Sequence, residues 1–185
     1  MGRDIHVRIA KYNEETNKYD EICLYRTRNK YEKYDYDENG KTIEPKTPYV
    51  RASVFSGRNS EMFDGMMDGN ESDGYGTFPW RPIRMNSLED SFKEKIQHYM
   101  DTQGYYDFHE ISLTEIALYL KEHPKVSDYD ADDKEWDDYW NGKGEKPVKD
   151  NLIKYLYDDI CNYIYFADFL SYDLSDYKVI FYFDC

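Results

Sequence analysis

Two Asp-x-His pairs carry the residue types of a metal or acid–base site: Asp4-Ile5-His6 near the N-terminus and Asp107-Phe108-His109 further along the chain. In an extended strand, residues i and i+2 point to one face, so each pair sets a carboxylate beside an imidazole. Brought together, the pairs would supply four oxygen and nitrogen ligands, chemically sufficient for Zn, Mn or Fe. Arg58 and Asn59 could then hold a phosphate or carbonyl oxygen. On that reading the chain is a metal-dependent hydrolase of nucleotides or phosphoesters, with a divalent transition metal as cofactor. The same spacing also arises where a carboxylate merely orients a structural histidine.

A second constellation is the run Asp128 to Asp138, which holds seven acids and one base in eleven residues. Its opening Asp128-x-Asp130-x-Asp132 has the start of a calcium loop, but the sixth and twelfth positions are Asp133 and Tyr139 where an EF-hand needs Gly and Glu. Helical, the run would span roughly 16 Å and carry a net charge about every 2.7 Å. Duplex DNA carries one per roughly 1.7 Å, a density of the same order. Asp130, Asp132, Asp133, Asp137 and Asp138 would then present a nucleic-acid-like surface, anchored by Trp136 and Trp140 at i and i+4. The alternative is a solvated acidic face whose tryptophans point into the core. Nucleophile elbow, P-loop, dinucleotide and H-E-x-x-H zinc signatures are all missing from the sequence.

Charge favours the binding reading. The 185 residues carry a formal net charge of −14, which argues against a nucleic-acid backbone or an anionic membrane as ligand. The first 60 residues hold 12 basic and 10 acidic side chains, so the acidity belongs to the remainder. Twenty-one tyrosines, many beside acids, suit protein contact, because tyrosine offers a rigid apolar face with a polar tip. The expected partner is a protein with a basic surface, with a homo-oligomer as another possibility. The sequence contains no apolar run of membrane-spanning length and opens without a secretory signal, so a cytoplasmic location is expected. Cys23, Cys161 and Cys185 are widely spaced and indicate neither a disulfide framework nor a cysteine zinc site.

The elements that must position these residues can be read from periodicity. Ile5, Val7 and Ile9 alternate with polar residues over 4–12, giving a strand that turns at Asn13–Asn17 into a second strand through Ile22 and Leu24. Residues 27–48 are expected to form a mobile loop, with a short hairpin at Asn39-Gly40. Asn59 or Ser60 should cap a helix burying Met62, Phe63 and Met66 and ending at Asp68-Gly69. Ser87 and Asp90 resemble a capping box ahead of a helix carrying Leu88, Phe92, Ile96 and Met100. Ser112 and Glu115 make a better one, opening a helix with Leu113, Ile116, Ala117 and Leu120 inward. A longer helix over about 150–171 carries the stripe Leu152, Leu156, Ile160, Tyr163, Ala167 and Leu170, and Lys178–Phe183 reads as a strand beside the first. The fold class is therefore α+β: one domain over 1–185, with an antiparallel or mixed sheet including both terminal strands. Three or four helices are expected to cover one face of that sheet.

Gly2-Arg3-Asp4-Ile5-His6, Arg58-Asn59-Ser60-Glu61-Met62-Phe63, Pro79-Trp80-Arg81-Pro82 and Asp107–Ile116 together resemble a family of small phage and prophage proteins. That family opens with a C-D-I-H-x-H strand, continues with an R-N-Y-x-L-F helix start and carries an H-S-x-S-W-L-T-L-x-E-L segment. The likeness covers residues 2–116 in short islands. Arg8 replaces the family's second histidine, and Glu110 and Ile111 replace residues after the later one, which weakens any metal site here. The resemblance implies a mobile-element origin, and hence a host-cell cytoplasm. With the charge, it leads to the expectation of an acidic protein that binds and inhibits a host protein with a basic surface, a nucleic-acid-binding defence effector.

Overall fold

The computed structural model describes residues 4–36, 41–55, 60–69, 72–102, 105–168 and 173–184. Its centre is a five-stranded antiparallel sheet. β1 (Asp4–Asn13) and β2 (Lys18–Ile22) form the expected N-terminal hairpin, closed by Glu14–Asn17 with Asn17 at φ 53°. β3 (Tyr25–Thr27) and β6 (Tyr49–Arg51) pair with each other, as do β4 (Asp35–Tyr36) and β5 (Thr42–Ile43), so the 27–48 segment is closed at its base by one small ladder and carries a second. The Asn39-Gly40 turn proposed between β4 and β5 lies outside the described residues.

Past α1 (Ser60–Asp68) and β7 (Arg81–Pro82) come α2 (Asp90–Thr102), β8 (Tyr106–Ser112) and α3 (Leu113–Glu122). The chain continues through β9 (Lys125–Ser127), α4 (Asp133–Trp140), β10 (Val148–Asp150), α5 (Ile153–Ala167) and β11 (Tyr177–Asp184). The main sheet runs β2-β1-β11-β8-β7, and β9 and β10 form a separate pair.

β11 lies beside β1 as expected, with Val7 opposite Phe181 and Ile9 opposite Val179. It is central, paired on both edges and buried on both faces, which explains why its sequence is a continuous apolar and aromatic run. Sheet residues therefore divide in two. Ile5, Val7, Ile9, Val179, Phe181 and Phe183 pack with Met62, Phe63 and Met66 of α1 and with α3 and α5. Ala10, Ile180, Tyr182 and Phe108 face the other way, onto Leu88, Phe92 and Ile96 at α2. Helices thus cover both faces, whereas a single covered face was expected. The reason is α2, whose apolar stripe needs a sheet face of its own.

The boundaries moved where caps decide them. Ser112 caps α3 in a reciprocal capping box with Glu115, as its sequence spacing predicted. Ser87 does not cap α2. It ends a 3₁₀ turn and donates to Arg84 O, while the Glu89 carboxylate accepts from Ser91 N and Phe92 N. α5 begins at Ile153 because 148–150 is committed to the ladder with β9. Asn59 and Leu170 lie outside the described residues.

The α3 cap has a measurable acid dependence. Burial pushes the Glu115 carboxyl up, but the Arg81 guanidinium and the Ser112 donors outweigh it and hold the group down at about 2, from an ordinary 4.5. A carboxyl depressed in the folded state stabilises above its unfolded value and loses that contribution as pH falls through its folded value. Urea unfolding should therefore show stability declining between pH 4.5 and about 2, with a shallower decline in Glu115→Gln.

Candidate functional site

The 128–147 excursion between β9 and β10 carries the acidic run, which proves to be part loop and part helix. Asp132 caps α4, its carboxylate accepting from Glu135 N at 2.8 Å. Asn141 closes the helix and donates to Asp137 O, and Gly142 follows at φ 68°, a left-handed position suited to glycine. No residue of α4 is buried. What holds it down is the Trp136 indole, which donates from Nε1 to Asp128 O at 3.0 Å. The Tyr129 ring stacks on Trp136 with centroids 5.7 Å apart, and Trp136 stacks on Trp140 at 6.1 Å. Tyr139 meets Trp136 edge-on and Trp140 at a tilt. Tyr129 is 61% exposed and Trp140 74%, so the outer members of this stack stand in water.

The acids around the stack do different work. Asp128 and Asp130 face Lys149 at 3.5 and 3.1 Å, and Glu61 reaches the same ammonium at 2.9 Å. Burial pushes the Lys149 ammonium down, yet Glu61 and Asp130 hold it above its ordinary value. The Tyr129 hydroxyl donates to Asp73, which raises the phenol. Asp138 accepts from Lys143 N and Gly144 N at its backbone oxygen. At about 100° per residue, Asp133 and Asp137 lie on the stripe next to Trp136 and Trp140, whereas Asp138 lies across the helix. Among the described residues neither Asp133 nor Asp137 has an ion-pair partner, and both are exposed. Of the seven residues named from sequence, Asp133, Asp137, Trp136 and Trp140 therefore form one surface. The Asp130 and Asp132 carboxylates are engaged at its margins, by Lys149 and by the α4 cap, Asp138 lies on the far side of the helix, and Tyr129 and Tyr139 join the surface although the sequence did not single them out.

The charge spacing also changes. α4 carries four acids and Lys134 over eight residues, about one net charge per 4 Å at 1.5 Å per residue. That is sparser than a duplex and close to the ~3.4 Å per phosphate of one strand.

The two Asp-x-His pairs do not converge. β11 separates β1 from β8, and the registers put His6 opposite Tyr182 but His109 opposite Phe181, on opposite faces of the sheet. His6 stacks on Tyr182 at 5.1 Å and meets Tyr105 edge-on, on the α2 side. His109 stacks on Trp80 at 4.4 Å, and Trp80 in turn meets the Phe181 and Phe183 rings, on the other side. Within the second pair a bulge breaks the i, i+2 rule: Asp107 sits at φ 51° in a register shift, and His109 Nδ1 meets the Asp107 backbone oxygen at 2.9 Å. Asp4 opens β1 opposite Asp184. Arg58 and Asn59 lie outside the described residues. The proposed four-ligand set is thus divided by the sheet. Among the described residues, no group of three or more His, Cys, Asp or Glu is arranged to hold a metal ion.

A buried ion cluster escaped the sequence reading. Glu110, 1% exposed, accepts from Lys178 Nζ at 2.9 Å and from Arg84 Nε at 2.5 Å. Lys178 also donates to Ser87 Oγ and lies 3.9 Å from the Tyr19 ring centroid. Burial pushes Glu110 up, but the Lys178 and Arg84 hydrogen bonds hold it below the ordinary carboxylate value. Burial dominates at Lys178 and lowers it despite Glu110. The partners come from segments far apart in sequence, so no local spacing announces them.

No family model, curated protein or solved structure matches the chain. Among the described residues no helix is long and apolar enough to cross a membrane.

Proposed function

We propose that this chain is an interaction protein that docks through the aromatic and acidic face of α4 onto a lysine- and arginine-rich protein surface, and so inhibits its partner. The observation that carries this reading is the stack Tyr129–Trp136–Trp140, exposed at both ends beside Asp133 and Asp137, on a helix with no buried residue. Tryptophan and tyrosine dominate interface energetics when they become desolvated in a partner's pocket. Flanking carboxylates select a cationic partner and speed its encounter.

A groove for single-stranded nucleic acid combines a cationic track with aromatic platforms for bases. Such a groove matches a row of acids beside exposed rings, which favours a nucleic-acid-binding effector of the host as the target. The ring spacing of about 6 Å exceeds base-stacking distance, so the match is one of chemistry and charge spacing, not of stacked geometry. The phage-type resemblance fits an inhibitor of host defence. The hydrolase reading is not carried forward, because the sheet divides its ligands.

Competition tests the proposal. A host protein retained on the immobilised chain should be displaced by single-stranded oligonucleotide, and its nucleic-acid binding should be blocked by the free chain. A retained protein that holds oligonucleotide and this chain together would refute the mimicry.

A further inference from the structure

The pairing of β2 with β1 begins at Ile9, so among the described residues the Asp4–Arg8 stretch is paired only with β11. Alongside it the segment that follows β6, held by Ala52 N donating to Leu24 O, walls a cleft of about 210 Å³. The cleft is lined by His6, Arg8, Arg51, Ser53 and Tyr182 together with apolar Val54. Its electrostatics oppose those of the molecule. Arg51, Lys95 and Arg8 lie 2.6, 2.5 and 3.7 Å from one carboxylate, Glu21, so three cations share a single anion. Arg8 spends Nε on the Tyr182 hydroxyl and Nη2 on that of Tyr99. Among the described residues Arg51 Nη2 is buried without a hydrogen-bond acceptor, and Glu21 Oε1 beside that guanidinium is buried without a donor.

A guanidinium nitrogen left without an acceptor is costly, and among the described residues the positive charges beside this cleft outnumber the negative ones. We propose that this cleft binds a small phosphate-type oxyanion, attracted by the Arg51 and Arg8 guanidinium groups that line it. Guanidinium groups suit this role because their planar donors match oxyanion geometry. Drug-sized ligands need pockets of roughly 300–1,000 Å³, so this one takes a phosphoryl group with at most a small organic substituent. The site uses β1, β6 and β11, and it goes beyond the docking face of α4.

Calorimetric titration at constant ionic strength tests it, using inorganic phosphate, phenyl phosphate and acetate on the wild type, Arg51→Lys and Ala52→Leu. Arg51→Lys keeps a cation on Glu21 but removes the planar guanidinium from the lining, whereas Ala52→Leu fills the cleft and leaves the ions alone. The expected result is saturable phosphate binding, weakened about tenfold or more in both variants, with acetate much weaker. Tighter binding of phenyl phosphate would identify a phosphorylated small molecule as the ligand, and its exclusion would identify free phosphate. Each upholds the oxyanion site. Absence of saturation in the wild type, equal saturation by acetate, or phosphate binding retained in both variants would overturn it.

Discussion

Trp140→Ala should weaken partner binding by about 2 kcal/mol or more, roughly thirtyfold, while leaving the unfolding midpoint almost unchanged. The two effects separate because Trp140 is 74% exposed and has no buried contact to lose, yet it ends the stack that a partner must cover. Trp136→Ala should weaken binding and stability together, since its indole also anchors α4 to Asp128 O. Titration calorimetry beside urea unfolding distinguishes the two variants. A large loss of stability in Trp140→Ala would mean the residue serves the fold, and unchanged binding would remove α4 from the interface.

Glu110→Gln should cost about 3–5 kcal/mol of folding stability, because it strands the Lys178 ammonium where only 3% of that residue reaches solvent. Glu110→Leu combined with Lys178→Met should recover most of the loss, since replacing both members of a buried pair with apolar groups is often close to neutral. Denaturant midpoints for the single and double variants measure this. Additive losses would show that the ions do not act as a pair. The cluster also fixes the segment after β7 to β8 through Arg84, and Arg81 of β7 links Glu115 of the α3 cap to the same place.

Much of the fold was legible because its signals are local. Period-two alternation marked β1, an unbroken apolar run marked β11, and Ser112 with Glu115 announced the start of α3. The second covered face was not legible, since an amphipathic helix does not state which side of a sheet it will meet. At the site, i and i+4 spacing correctly put Trp136 and Trp140 on one face. The addition of Tyr129 depends on a loop folding back, which no periodicity encodes. The Asp-x-His pairs misled for two physical reasons. A bulge at Asp107 breaks alternation inside one pair, and the parity of the two registers through β11 places the histidines on opposite faces. The charged clusters around Glu110 and Glu21 draw partners from distant elements, and the sequence holds no trace of them beyond an acid in an apolar strand.

The most direct measurement of the central claim is affinity for the retained host protein as a function of salt, with wild type compared against Asp133→Asn/Asp137→Asn. A docking face that works through unpaired carboxylates against a cationic surface should lose affinity steeply as salt rises. The double variant should bind more weakly and with a flatter salt dependence, at an unchanged unfolding midpoint. A complex insensitive to salt, or one that the double variant forms as tightly as the wild type, would contradict the account.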